Sequence, residues 1–146
     1  MNIVYALQPL RKSIFLAGPT PRSSAVPSWR PYALSVLKRL GFDGDVYVPE
    51  AMGWSPHSNY NAQIDWEWGA LDRSATIVFW IPRELETMPA FTTNVEFGMA
   101  VATGKVLLGF PDNAPKTKYL HALADRFGTP VFNDLDVMLA AAVART

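Results

Sequence analysis

Ala75-Thr-Ile-Val-Phe-Trp-Ile81, ended by Pro82, is the stretch that decides the architecture. Its apolar residues fall on odd and even positions alike, so both faces of the extended chain need cover. A half-wet antiparallel strand would alternate; an unbroken apolar run of this length reads as the central strand of a parallel sheet. Shorter runs of the same kind lie on either side: Ile14-Phe-Leu-Ala17 stopped by Gly18-Pro19, Val46-Tyr-Val48 ended by Pro49, and Val106 to Phe110. Helical spacing fills the gaps. Ala33, Val36, Leu37 and Leu40 give Trp29 to Leu40 a helix that Gly41 stops, and Asn59 to Arg73 reads as a second. Thr93 is a candidate cap for a third, which runs to Thr103 and ends at Gly104. Lys116 to Arg126, Pro130 to Phe132 and Leu135 to Ala144 continue the alternation. Strand and helix alternating through five rounds predict a parallel sheet with helices on both faces, one three-layer α/β domain over residues 1–146. Asn2 to Leu7 is a candidate extra edge strand.

Composition narrows the chemistry. Hydrophobic residues make up 49% and charged residues 18%, against about 25% charged in an average soluble chain. That excludes a disordered protein and points to a large core or a self-associating surface. Lys+Arg 13 against Asp+Glu 13 leaves no basic field for a phosphate backbone, so polymeric nucleic acid is not an expected partner. With no cysteine, disulfides, thiolate catalysis and Cys-based zinc sites are excluded, and two histidines make a poor metal site. No apolar run approaches the length of a spanning helix. The opening MNIVYALQPL lacks the charged start and cleavage site of a secretory leader. The expectation is a cytoplasmic protein with no metal, no organic cofactor and no membrane attachment.

In a doubly wound sheet, ligands sit beyond the carboxyl ends of the strands, near the switch in strand order. That rule singles out three loops: Gly18 to Ser24, Pro49 to Asn59, and Arg83 to Asn94. Thr92-Thr-Asn-Val-Glu96 is the richest of the candidates. Thr93-x-x-Glu96 fits a capping box, in which Glu96 reaches back to its own cap. It also fits a carboxylate one turn into a helix that opens at the ligand edge, where the helix N-terminus would lower its pKa and suit a nucleophile. On the preceding helix, Tyr60, Ile64, Glu67, Leu71 and Ser74 follow the spacing of a core-facing stripe, yet one member is a glutamate. A charge there needs a function or a partner, and Arg83 is the candidate partner. Asp65 and Asp72 fall on the opposite, solvated side. The first loop, Gly18-Pro-Thr-Pro-Arg-Ser-Ser24, lacks the P-loop pattern. Its Arg and hydroxyls ahead of a helix suit a phosphate or carboxylate, and equally an ordinary turn. Of the tryptophans, Trp54, Trp66, Trp68 and Trp80 surround the second and third loops, as core or interface residues or as faces on which a planar base can stack.

The stretches Ile14-Phe-Leu-Ala-Gly-Pro-Thr-Pro-Arg-Ser23, Ser28-Trp-Arg30, Tyr47-Val-Pro-Glu50, Gln63-Ile-Asp-Trp-Glu67, Phe79-Trp-Ile-Pro-Arg83 and Thr92-Thr-Asn-Val-Glu-Phe-Gly98 together resemble the nucleoside 2-deoxyribosyltransferase superfamily. The resemblance implies a flavodoxin-like, Rossmann-like three-layer fold and cleavage of the N-glycosidic bond of deoxynucleosides. In that family a glutamate attacks the anomeric carbon, and a second base or water releases the sugar. The nucleophile's pattern, E-x-G-x-A followed by a Gly-Lys turn, matches Glu96-Phe-Gly98-Met-Ala100 with Gly104-Lys105. The family's second acidic residue, near the base, falls on Glu67, where the transferases have aspartate. Two positions depart from the pattern: another family aspartate becomes Ala90, and an asparagine lent by a neighbouring subunit becomes Tyr119.

The resemblance and the loops together give Glu96 and Glu67 as catalytic candidates. Gly18, Pro19, Thr20, Arg22 and Ser23 from the first loop, with Arg83, Thr93 and Asn94 from the third, are candidates for holding the substrate. The expected partner is a small nucleoside or nucleotide, in a homo-oligomer. Cleavage of NAD by a TIR-like enzyme, or a silent nucleotide-binding or sensor domain, are the alternatives.

Overall fold

The computed structural model describes residues 12–50 and 60–146. The chain alternates strand and helix: β1 (Ser13–Ala17), α1 (Arg30–Arg39), β2 (Asp45–Tyr47), α2 (Tyr60–Arg73), β3 (Thr76–Trp80), α3 (Phe91–Ala100), β4 (Val106–Gly109), α4 (Lys118–Phe127), β5 (Val131–Phe132) and α5 (Leu135–Arg145). The strands form one five-stranded sheet in the order β2-β1-β3-β4-β5, every pair parallel. This is the flavodoxin-like order, whose switch point lies between β1 and β3. The expected edge strand at Asn2 to Leu7 lies outside the described residues, as do Trp54 and His57.

Successive residues of a strand point to opposite faces, and the sheet sorts its apolar side chains that way. Phe15, Ala17, Ile77, Phe79, Leu108 and Phe110 form one core with Leu71, Phe97, Leu120 and Ala124, from α2, α3 and α4. Ile14, Leu16, Val78, Trp80 and Leu107 form the other, with Ala33, Val36 and Leu37 of α1 and Met138, Leu139 and Ala142 of α5. Every residue of β1, β3 and β4 is buried, which is why these runs carry apolar residues at consecutive positions. At the surface, Asp136 of α5 accepts from Tyr32 Oη and Arg39 Nη2 of α1, both at 2.8 Å. Among the described residues no helix is long and apolar enough to cross a membrane.

Helix ends follow backbone chemistry. Gly41 (φ +72°) closes α1, and Gly104 (φ +75°) ends a short 3-10 turn, Val101–Thr103, that continues α3. The start of α3 differs from the sequence expectation. Its cap is Ala90 in the left-handed region (φ 61°), with no side-chain cap hydrogen bond, and the helix begins at Phe91. Thr93 is therefore the third helical residue rather than the cap, and the capping-box reading of Thr93 and Glu96 falls. The backbone supplies this cap, so no side-chain signature marks it. Holding an alanine in that region costs roughly 1 kcal/mol or more.

Candidate active site

β1 ends at the switch point, and the chain turns there on Gly18 (φ +138°). A Cβ at this residue would run into the carbonyl oxygen of Trp80 at the end of β3, so only glycine lets the two strand ends stay this close. A cavity of about 240 Å³ opens above them. Its lining includes Phe15, Ala17, Gly18, Pro19, Thr20 and Arg22 from β1 and its loop, Pro49 from the second loop, and Tyr60, Gln63 and Glu67 from α2. Pro89 and Ala90, with Phe91, Thr92, Thr93 and Glu96 of α3, complete it. The stripe on α2 explains itself here: Leu71 and Ser74 are buried, and the same face opens onto the cavity at Glu67, one turn before Leu71, and at Tyr60, about three turns before it. The loop after β3 is pinned, not slack. Glu84 and Met88 exchange backbone hydrogen bonds at 3.2 and 2.8 Å, and Arg22 N donates to Thr87 O at 3.2 Å, tying the first loop to the third.

Glu96 and Glu67 meet in this cavity, from α3 and α2 respectively. Glu96 is 8% exposed, and its carboxyl lies within hydrogen-bonding reach of Glu67. Burial first, then the charge and hydrogen bond of Glu67, push the Glu96 carboxyl up to about 8, with Arg30 acting in the opposite sense. The sequence reading had the helix terminus lowering that pKa. Glu96 is the sixth residue of α3, beyond the first turn where the terminus acts, and desolvation beside a second carboxylate outweighs it. At neutral pH Glu96 consequently keeps its proton. Glu67 Oε1 also accepts from Gln63 Nε2 at 2.7 Å. The expected ion pair between Glu67 and Arg83 is absent: Arg83 instead donates to Asn94 Oδ1, to Lys116 O at 2.7 Å and to Pro115 O at 3.3 Å.

The cavity thus gathers Glu67, Glu96, Gly18, Pro19, Thr20, Arg22 and Thr93, while Ser23, Arg83 and Asn94 stand outside its lining. Arg83 and Asn94 hold each other and the loop before α4. Among the described residues no tryptophan lines it either. Trp66 packs edge-on against Phe15 and Tyr47, Trp80 is buried under the sheet and Trp68 is half exposed. The aromatic walls are Phe15, Tyr60 and Phe91.

One component escaped the sequence reading. Arg30, the first residue of α1, is fully buried. Its Nε donates to Leu16 O at 2.9 Å, Nη2 to Gly18 O at 2.6 Å, and Nη1 to Thr20 Oγ1 at 3.1 Å, to Pro19 O at 3.4 Å and to the Glu50 carboxylate. Ser28 Oγ also donates to Glu50, at 2.7 Å, and the Arg30 guanidinium stacks on Trp29, 4.9 Å from the ring centre. Burial disfavours the Arg30 charge, which Glu50 chiefly, then Glu67 and Glu96, support. The hint was available: a cation at the first position of a helix opposes the helix dipole and calls for a strong partner.

Open α/β sheets bind ligands at such a place: a crevice at the switch point, walled by rings and by two carboxyls. The family assignment agrees. Residues 11–114 match the model of the family described as nucleoside 2-deoxyribosyltransferase like, and the chain belongs to that family. Its membership supports a nucleoside-processing role in general. A search of curated proteins finds no significant match.

Proposed function

We propose that the protein cleaves the N-glycosidic bond of a deoxynucleoside or its monophosphate through a covalent glycosyl–Glu96 ester. The meeting of Glu67 and Glu96 in the cavity carries this reading. With substrate bound, the proton that Glu96 carries passes to Glu67, leaving Glu96 ionised against the anomeric carbon. Glu96 attacks that carbon; the bond to the base nitrogen breaks, its electron pair goes to the base, and Glu67 donates the proton to the base. Water, deprotonated by the Glu67 carboxylate, or a second base then displaces the sugar and regenerates Glu96. This is double displacement as retaining glycosidases perform it. The cavity volume lies just below the usual range for organic ligands, which suits one nucleoside better than a dinucleotide such as NAD.

Incubation with deoxynucleosides, their 5′-monophosphates and NAD, with and without free adenine or cytosine, tests the reading by product mass. We expect free base and free sugar to appear faster than exchanged nucleoside, because Ala90 stands where the transferases carry a further carboxylate. A protein that binds these ligands and cleaves none of them is a sensor instead.

Arg22 is the proposed phosphate ligand. Arg22→Ala should raise KM for a nucleotide by roughly ten- to a hundredfold, the range for a charged hydrogen bond, and leave the nucleoside unaffected. Equal effects on both remove Arg22 from that role.

We also propose a homo-oligomer. Phe91, Val95 and Met99 stand one turn apart on α3 and are 69%, 63% and 57% exposed, an apolar stripe that starts at the cavity mouth. Tyr119, on α4, is more exposed still. Light scattering at micromolar concentration should report a mass above 16.2 kDa; a monomer refutes the assembly.

A further inference from the structure

Gln63 sits one turn before Glu67 on α2, on the face that lines the cavity. Its Nε2 donates to Glu67 Oε1 at 2.7 Å, while its Oε1 is buried and has no hydrogen-bond partner among the described residues. The amide cannot simply turn over, because that would set Oε1 against a carboxylate oxygen. The donor end is therefore committed to the carboxylate, and the cavity is left with a buried acceptor.

A buried acceptor without a donor is costly, and none of the described lining residues donates to it. A ligand group with a hydrogen to give would satisfy it in place of water. Under the proposed reaction Glu67 protonates the base, and Gln63 Oε1 belongs to the same amide as the nitrogen that touches Glu67. It therefore lies beside the ring atom that takes the proton, within reach of a substituent on the neighbouring ring carbon. Tyr60, three residues earlier on the same face, adds an aromatic wall there. The hydroxyl- and guanidinium-bearing residues that suit sugar or phosphate, Thr20, Arg22, Thr92 and Thr93, come from the other elements of the lining.

We propose that Gln63 is a specificity-determining residue whose amide oxygen accepts a hydrogen bond from the exocyclic amino group of the base, so that the site selects amino-bearing over oxo-bearing bases. An oxo base places an oxygen lone pair against Oε1 where the amino base places a hydrogen. The inference rests on the proposed glycosidic reaction for the direction in which the base lies, and it names the substrate class of that site.

The test measures binding by calorimetry and cleavage by product mass for two matched pairs, deoxyadenosine against deoxyinosine and deoxycytidine against deoxyuridine, each also as the 5′-monophosphate. Wild type should favour the amino member of each pair by about tenfold or more, in Kd and in kcat/KM alike. Gln63→Leu, or Gln63→Met if the leucine variant does not fold, should bring the ratio close to one by weakening the amino member. A wild-type preference for the oxo member, or a preference that survives in the folded variant, overturns the assignment while leaving the glycosidic reaction standing. Selective binding without cleavage, erased in the variant, upholds base reading and overturns the reaction. Binding of neither pair overturns both.

Discussion

Glu96→Gln should abolish turnover and at the same time stabilise the fold at alkaline pH. Glutamine has the shape of the protonated glutamate and can donate to Glu67, yet it cannot form a glycosyl ester. The stability effect follows from proton linkage. Glu96 ionises near 4.5 in the unfolded chain and at about 8 in the folded one. Below the first value both states are protonated and nothing is lost. Between the two values the unfolded chain releases a proton that the folded chain retains, so stability falls as pH rises through this window and levels off above it. The interval corresponds to roughly 3–5 kcal/mol, at about 1.4 kcal/mol per pH unit. Urea melts of wild type and Glu96→Gln should therefore nearly coincide at about pH 4 and separate by several kcal/mol at about pH 8.5. Curves that stay parallel across that range would mean that Glu96 is not held protonated. Near-wild-type turnover in the variant would sink the nucleophile assignment outright. In the free enzyme kcat/KM should fall as pH rises through about 8, since the reaction needs the one proton that Glu96 holds and passes to Glu67.

The second large effect is expected at Arg30. Arg30→Met removes a cation that five groups depend on: the carbonyls of Leu16, Gly18 and Pro19, the Thr20 hydroxyl and the Glu50 carboxylate. Removing one partner of a fully buried ion pair costs about 3–5 kcal/mol; Glu50 is 21% exposed and keeps its bond from Ser28, so the loss should fall toward the lower end of that range. In a domain of this size that is a large share of the total stability. Combining Arg30→Met with Glu50→Gln should recover part of the loss, as neutralising the stranded carboxylate relieves its desolvation. Strict additivity of the two single variants in equilibrium unfolding would show that the pair does not act as a unit.

The layers of this fold were legible because their cause is local. Ile14 to Ala17 and Thr76 to Trp80 must be covered on both faces, and Gly18, Pro49, Gly41 and Gly104 mark where the chain turns. The two carboxyls were legible as well: Glu67 breaks an apolar stripe, and Glu96 sits in a distinctive run of residues. Other parts depend on distant sequence. Arg30 looks like a solvated charge until Glu50, twenty positions on, arrives beside it. The pKa of Glu96 depends on Glu67, from a different helix, and on the depth of the cavity, and neither follows from spacing. Ala90 adopts a left-handed cap that alanine does not advertise, so Thr93 drew the cap instead. Arg83 and Asn94 lie in the expected loop yet turn toward each other and the chain before α4.

The close approach at Gly18 has a consequence for how such a site diversifies. Because the floor of the crevice is made of main chain, pressed against the Trp80 carbonyl, it offers nothing that a point mutation can retune without parting two strands. Novelty has to come from the walls, where Arg22, Tyr60, Gln63 and Phe91 can be exchanged over an unchanging base. A saturation library confined to these wall positions would explore new ligands with little threat to the scaffold, whereas one that included Gly18 would spend its members on chains that do not fold.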